Sequence, residues 1–243
     1  MDLEKIPQKF VITFDCEWAP DFILEDIFGL LEKYQVKSTW FVTNKSDFLK
    51  NKNKLIEFGI HPNFFPNSSH GDNFESVMKF CKKIVPESKS VRTHRLLQST
   101  IILNRFHEFG IKNDVSILLE GTPNIKPFYS KSFKLNRFPF FWEDDLQLNE
   151  KFSWHFNEDY FFTEGLKIFN FHPILIYLNS NNLIKYQKMM KEIGLDKINI
   201  NNIKQYYNNN KGERTFFLEI LEFLKNNETN TINELSKKIE VLL

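Results

Sequence analysis

Cysteine is nearly missing from this chain of 243 residues: only Cys16 and Cys81 occur. Two thiols cannot build a disulfide framework, so a reducing compartment is the default. An excess of either charge is lacking too. There are 32 Lys and Arg against 31 Asp and Glu, a formal net charge of +1. That balance argues against the broad basic footprint of a nucleic-acid-binding surface. Long apolar runs do not occur. The strongest, ILIYL at residues 174–178, is far too short to cross a bilayer. The opening stretch, MDLEKIPQKF, has none of the apolar core of a signal peptide. The expectation is a soluble cytoplasmic protein with no membrane span and no nucleic-acid partner. Glycine and proline are also scarce, at 8 and 9 residues, whereas phenylalanine reaches 27. An AT-rich genome suffices to explain the aromatic excess.

What is present is an alternation of strand and helix patterns. FVITF at 10–14 reads as a first strand, and DFILEDIFGLLEKYQ carries apolar residues at helical spacing. STWFVT is a second strand. KSDFLKNKNKLIEF reads as a helix stopped by Gly59, with a short third strand in GIHPNF. NFESVMKFCKKIV is helical, KSVRTH is a fourth strand, and QSTIILNRFHEF is a helix ending at Gly110. NDVSILL, LNRFPFFW and LKIFNFH supply strands five to seven. Three helices follow, in LIKYQKMMKEIG, ERTFFLEILEFLK and INELSKKIEVLL, the last opened by a capping box of Thr231 and Glu234. Such alternation predicts a mostly parallel sheet covered by helices. About seven strands fit an incomplete β/α barrel or a doubly wound sheet. No linker, repeat or low-complexity tract divides the chain, so a single domain over residues 1–243 is expected.

The unusual polar residues fall at strand ends, where parallel α/β folds place their sites. Asp15 and Glu17 follow strand one, and His61 follows strand three with Asn63 and His70 beyond it. Arg92 and His94 follow strand four, Trp142, Glu143, Asp144 and Asp145 follow strand six, and His172 follows strand seven. Blander readings stand beside these. Asp15 could cap a helix, and Glu143, Asp144 and Asp145 could be a solvated loop. His107, His155 and Cys81 read as ordinary surface or core residues. Cys16 makes a poor nucleophile, because two flanking carboxylates disfavour its thiolate. Taken together, an acid and two histidines on one rim suit one divalent metal, with zinc the first choice. A second acid supplies a general base and a third histidine a general acid, the equipment of metal-assisted hydrolysis.

This pattern resembles the polysaccharide deacetylases of the NodB-homology type, in particular the divergent subgroup encoded with lipopolysaccharide O-antigen genes. The resemblance covers roughly residues 10–180. It implies an α/β fold, a distorted and incomplete (β/α)7 barrel, here with extra C-terminal helices. It also implies a metal-dependent hydrolase that removes an acyl group, foremost N-acetyl, from a sugar. The family's T-F-D-D motif is resembled by TFDCEW, which makes Asp15 the catalytic base. GIHPNFFPNSSHG offers His61 and His70 as metal ligands, at a longer spacing than the family's H-x-x-x-H. Arg92 in SVRTH resembles the arginine that orients the base, FWEDD the acid-and-tryptophan motif, and FNFHP the motif whose histidine, here His172, is the general acid.

Cys16 occupies the place of the family's metal-binding acid. Residues two apart share a face of a strand. If Asp15 points into the pocket, Glu17 does as well, so Glu17 is the expected carboxylate ligand. Trp18, Asn63, His94, Trp142, Glu143 and Asp145 are the expected substrate-binding residues. Strands one and seven should be neighbours if the sheet closes or nearly closes. The expected partner is a sugar, a nucleotide-sugar or a lipid-linked sugar of surface-polysaccharide synthesis. The alternative is a carbohydrate-binding or scaffold protein on the same fold that has lost turnover.

Overall fold

The computed structural model describes residues 9–148 and 152–240. Nine strands form one sheet: β1 (Lys9–Asp15), β2 (Ser38–Val42), β3 (Ile56–Ile60), β4 (Ser90–Val91), β5 (Asn113–Asp114), β6 (Phe128–Ser130), β7 (Leu135–Arg137), β8 (Trp142–Glu143) and β9 (Leu166–Phe171). Their order is β6-β7-β5-β4-β3-β2-β1-β9-β8, and every pairing is parallel except β6 with β7. The helices are α1 (Asp21–Tyr34), α2 (Phe74–Ile84), α3 (Thr100–Arg105), α4 (Asp144–Gln147), α5 (Pro173–Tyr177), α6 (Leu183–Glu192), α7 (Glu213–Leu224) and α8 (Ile232–Glu240).

Chain connectivity makes this sheet curl. Laid flat, β7 and β8 would lie seven strand spacings apart, about 34 Å. Only residues 138–141 join them, a link that spans about 19 Å at most. The link is bonded on both sides. Phe140 N–H donates to Ile117 O at 2.8 Å, and Phe141 N–H to Ile168 O at 2.8 Å. The result is a distorted, incomplete barrel, with β1 beside β9 as a closing sheet requires. LNRFPFFW is therefore two short strands rather than one. They are interrupted around Pro139, and each half pairs with a different neighbour. The antiparallel strand β6 carries no clear signal in the sequence.

The predicted helix over KSDFLKNKNKLIEF is not formed. A short 3-10 turn covers Asp47–Lys50, and β3 begins at Ile56. Asparagine side chains displace the helix: Asn51 Oδ1 accepts from Asn53 N–H at 2.9 Å, and Asn53 Oδ1 from Leu55 N–H at 3.0 Å. Such local turns compete with helical hydrogen bonds. Gly59 is consequently a strand residue and not a helix stop. A Cβ there would meet the Phe41 ring at 2.7 Å and Ser90 O at 3.0 Å.

The main core lies between the sheet and α1, α5, α7 and α8, with Phe14, Trp40, Phe41, Phe169, Phe171, Phe216 and Phe217 fully buried. A smaller cluster under α2 and α3 includes Ile60, Met78, Cys81, Val91 and Phe106. The expected capping box opens α8. Thr231 N–H donates to Glu234 Oε2 at 3.0 Å, and Glu234 N–H to Thr231 Oγ1 at 3.2 Å. The predicted continuation of that helix to Leu243 lies outside the described residues.

Replacing Gly59 by Ala tests the strand assignment. Phe41 is fully buried and cannot swing away, so the overpacking should cost about 1–3 kcal/mol in urea unfolding. A neutral or stabilising effect would contradict the packing described.

Candidate active site

The C-terminal rim of the sheet gathers the polar residues because successive parallel strands deliver their ends to one side. Asp15 closes β1 and is 3% exposed. Arg92 follows β4 and is fully buried, its guanidinium between the rings of Phe41 and Phe140 at 4.5 and 4.6 Å. Its Nη1 donates to Asp15 Oδ1 at 3.1 Å and to Asn170 Oδ1, Nη2 to Thr13 Oγ1 at 2.9 Å, and Nε to Val115 O at 3.0 Å. Asn170 Nδ2 donates to Asp15 Oδ2 at 3.0 Å and to Glu143 Oε1 at 2.9 Å. Both Asp15 oxygens are thus held in place.

Beyond Asp15 the strand ends abruptly. Glu17 and Trp18 both adopt left-handed backbone, with φ of 44° and 58°. Consecutive non-glycine residues in that region carry local strain. This turn, and not strand alternation, brings Glu17 to the cleft, while Cys16 packs into the core. Burial, with Asp15 and Glu17 adding to it, pushes the Cys16 thiol far above its ordinary pKa. Glu17 Oε1 lies 3.2 Å from His61 Nε2 and 2.8 Å from His94 Nδ1, and those two nitrogens are 3.4 Å apart. Ligands about 2.0 Å from a tetrahedral zinc are about 3.3 Å from one another, so the three atoms fit one such ion. His61 Nδ1 is 3.5 Å from Asp15 Oδ1 and has no other partner among the described residues. It can point a ring N–H at a carboxylate, as metal-binding histidines do. Burial opposes a charge on His61, but Asp15 and Glu17 outweigh it and raise its pKa. Burial likewise opposes a charge on Glu17, and hydrogen bonds from His61 and His94 more than offset it.

On the other side of Asp15, His172 follows β9. Its Nδ1 is 2.6 Å from Asp144 Oδ1, and its backbone N–H donates to Asp144 Oδ2 at 2.5 Å. Burial works against the imidazolium, yet the charge and hydrogen bond of Asp144 raise the His172 pKa well above the usual value. Glu143 is pushed up to about 7, by burial first and then by Asp145. Ligand atoms of Asp15, Glu143 and His172 lie within 4.8 Å of one another, as do those of Asp144, Asp145 and His172. In both groups His172 is already engaged by Asp144, so the Glu17, His61 and His94 group is the better cation site. A cleft of about 440 Å³ joins the two sides, lined by Asp15, Glu17, His94, Glu143, Asp145 and His172, with Leu183 and Tyr186 contributed by α6.

Several expected site residues sit elsewhere. His70 is not in the Glu17 group. Its Nδ1 accepts from Asn63 N–H at 3.1 Å, its ring stacks on Phe80 at 4.7 Å, and burial pulls its pKa down to about 4. His94, expected to touch substrate, stands in the group instead. The eight residues between His61 and His70 turn back on themselves, whereas His94 N–H donates to Pro62 O at 3.0 Å and so reaches His61 directly. Asn63 Oδ1 is engaged by Phe65 N–H at 3.0 Å. Trp142 is fully buried against Phe169, Phe171 and Phe216 and cannot touch a ligand. Trp18 stands beside the group, 5.6 Å from the His94 ring and 6.1 Å from that of His70. Asp144 stands among the strand-end acids of the sequence without an assigned role, and Asn170 carries no signal as a strand-end residue. Strand alternation from His172 could have flagged Asn170.

With this geometry in hand, the chain can be set against known proteins. A family model described as WbmS-like polysaccharide deacetylase matches residues 12–190. A candidate polysaccharide deacetylase involved in O-antigen biosynthesis, from Bordetella bronchiseptica, is 32% identical, with 88% of this chain and 90% of that one covered and a TM-score of 0.80. A candidate polysaccharide deacetylase from Mycobacterium smegmatis shares the fold at 11% identity, with 97% and 91% covered and a TM-score of 0.59. No functionally curated protein matches the sequence. The chain belongs to the WbmS-like polysaccharide deacetylase family.

Proposed function

We propose that this protein is a metal-dependent deacetylase that removes an acyl group, foremost N-acetyl, from a sugar of surface-polysaccharide synthesis. The observation that carries this reading is the pairing of a three-ligand group with a separate histidine–aspartate acid on either side of one held carboxylate. The relative from Bordetella bronchiseptica, named for O-antigen biosynthesis, supports the polysaccharide setting. The substrate is a sugar, nucleotide-sugar or lipid-linked precursor handled in the cytoplasm, and residues 1–243 act as one unit.

Glu17, His61 and His94 would hold the cation, with zinc suited to a mixed nitrogen and oxygen set. Held there, it supplies Lewis acidity toward the acyl carbonyl and water. Asp15, aimed by Arg92 and Asn170, takes the proton of the attacking water. Asp144 favours the charged form of His172. The His172 Nδ1 is engaged by that carboxylate, so Nε2 is the nitrogen left to protonate the departing amine. The C–N bond breaks as that proton arrives, releasing the amine and the carboxylic acid. Base and acid differ in environment by design of the rim: one carboxylate is held among donors, and one imidazole sits among carboxylates.

Metal analysis of the purified protein should give about one divalent ion per chain, taking the single-ion coordination of such sites as reference. Glu17→Ala, His61→Ala and His94→Ala should lose it, and His70→Ala should keep it. A His70 variant that loses the ion while the His94 variant retains it would overturn the ligand set.

For the acid, Asp144→Asn removes the charge that raises the His172 pKa, so the alkaline limb of the rate profile should move to lower pH. Turnover on an N-acetylated sugar should fall about 10²–10⁴-fold, the range for general acid catalysis. An unchanged alkaline limb would show that His172 is not the acid.

A further inference from the structure

Glu213 is a fully buried acidic side chain beside the Asp144 carboxylate to which the reaction above gives no task. It opens α7, outside residues 12–190 that match the family model. It is fully buried, and neither carboxyl oxygen accepts a hydrogen bond from any donor among the described residues. Its side chain lies instead in hydrogen-bond contact with the Asp144 carboxylate.

Close packing places it there. Gly212 sits so near the turn after α5 that a Cβ would meet Asn179 O at 2.2 Å. Glu213 N–H donates to Ser180 O at 2.8 Å, and Thr215 N–H to Asn179 Oδ1 at 3.3 Å. The start of α7 is thereby pinned to the end of α5, the helix that His172 precedes. Two carboxyl groups in dry contact cannot both ionise. Asp144 faces the His172 cation and accepts two hydrogen bonds from that residue, so it holds the charge. The proton stays on Glu213, the member without another donor. Burial, then the charges of Asp144 and Asp145, point the same way.

We propose that Glu213 is a positioning residue: a neutral carboxylic acid whose O–H donates to Asp144 and thereby sets the orientation and proton affinity of His172. This rests on the reading of His172 as the general acid. The charged and titratable groups around the pair are Glu143, Asp144 and Asp145 on the β8–α4 side, and Asp15 and Glu17 at the end of β1. Tyr186 on α6 faces it as well, and Arg214 follows Glu213 in the chain. Arg214 is committed to Asp26, its Nη1 2.5 Å from Oδ2. An ionised Glu213 would add a further negative charge to this set and raise the His172 pKa. A neutral donor draws charge from Asp144 and lowers it.

The opposite signs give the test. His172 is titrated by NMR with nitrogen-labelled histidine in the full-length protein, its Glu213→Gln variant and its Glu213→Leu variant, and turnover is measured alongside. An amide can donate as the acid does, so Glu213→Gln should leave the His172 midpoint and the rate profile in place. Glu213→Leu removes the donor and should raise the midpoint by roughly one unit, a tenfold change in proton affinity, with turnover reduced. Glu143, at about 7, contributes a protonated carboxyl group to parent and variant alike, so the infrared difference between the parent protein and Glu213→Gln at neutral pH should show the loss of one further protonated-carboxyl band. That band also decides the matter should the leucine variant not fold. A midpoint lowered by Glu213→Gln, or a folded Glu213→Leu with an unmoved midpoint, would overturn the proposal. Because the titration and the band do not require turnover, they would stand even if His172→Ala kept full activity, which would sink only the general-acid reading.

Discussion

The buried guanidinium of Arg92 is the constraint on which both barrel and rim depend. A charge without water contact is tolerated only when its donors are engaged, and removing one partner leaves an uncompensated charge. Here Nε and both terminal nitrogens find acceptors from β1, β9 and the segment after β5, and the flat faces lie on Phe41 and Phe140. The same residue therefore ties distant strands together and fixes the direction of Asp15. Gly59 belongs to this arrangement, because the absence of a side chain there lets Phe41 lie flat against β3 under the guanidinium.

Around that centre the rim divides into two electrostatic halves. Glu17, His61 and His94 face one another at 2.8–3.4 Å, a spacing suited to a shared cation. Across Asp15 and Asn170, the acids Glu143, Asp144 and Asp145 surround His172 and favour its charged form. The proposed chemistry needs both halves. One side polarises the carbonyl and the other keeps a proton ready for the leaving group, and the held carboxylate between them acts on water. The strain at Glu17 and Trp18 fits this division, since a residue that must leave the strand at once can do so only through an unusual backbone.

The C-terminal helices contribute more than cover. Phe216 and Phe217 of α7 enter the main core against Trp142, Phe171 and Phe14. The same helix begins with the acid lying against Asp144. Packing and site are thus joined through one element, which limits how far α7 can shift without disturbing the rim.

Much of this was legible from residue order alone. Apolar periodicity located β1, α1, β2, α2 and β9, and the strand-end placement of Asp15, His61, Arg92 and His172 put them on one rim, because parallel strands must end on the same side. Local side-chain chemistry that periodicity ignores was harder to read. Asn51 and Asn53 replaced a helix with turns, and Pro139 split one apparent strand between two neighbours. Contacts between residues far apart in the chain could not be read at all. That His94 and not His70 stands with His61 depends on how two loops cross. That Trp142 is core depends on α7 lying over it. Glu213 meets Asp144 only because Gly212 lets a helix begin against the turn after α5. Sequence determines which strands end in which side chains, since that follows from local pattern. Tertiary packing decides which of those side chains touch, since touching is settled by the whole chain at once.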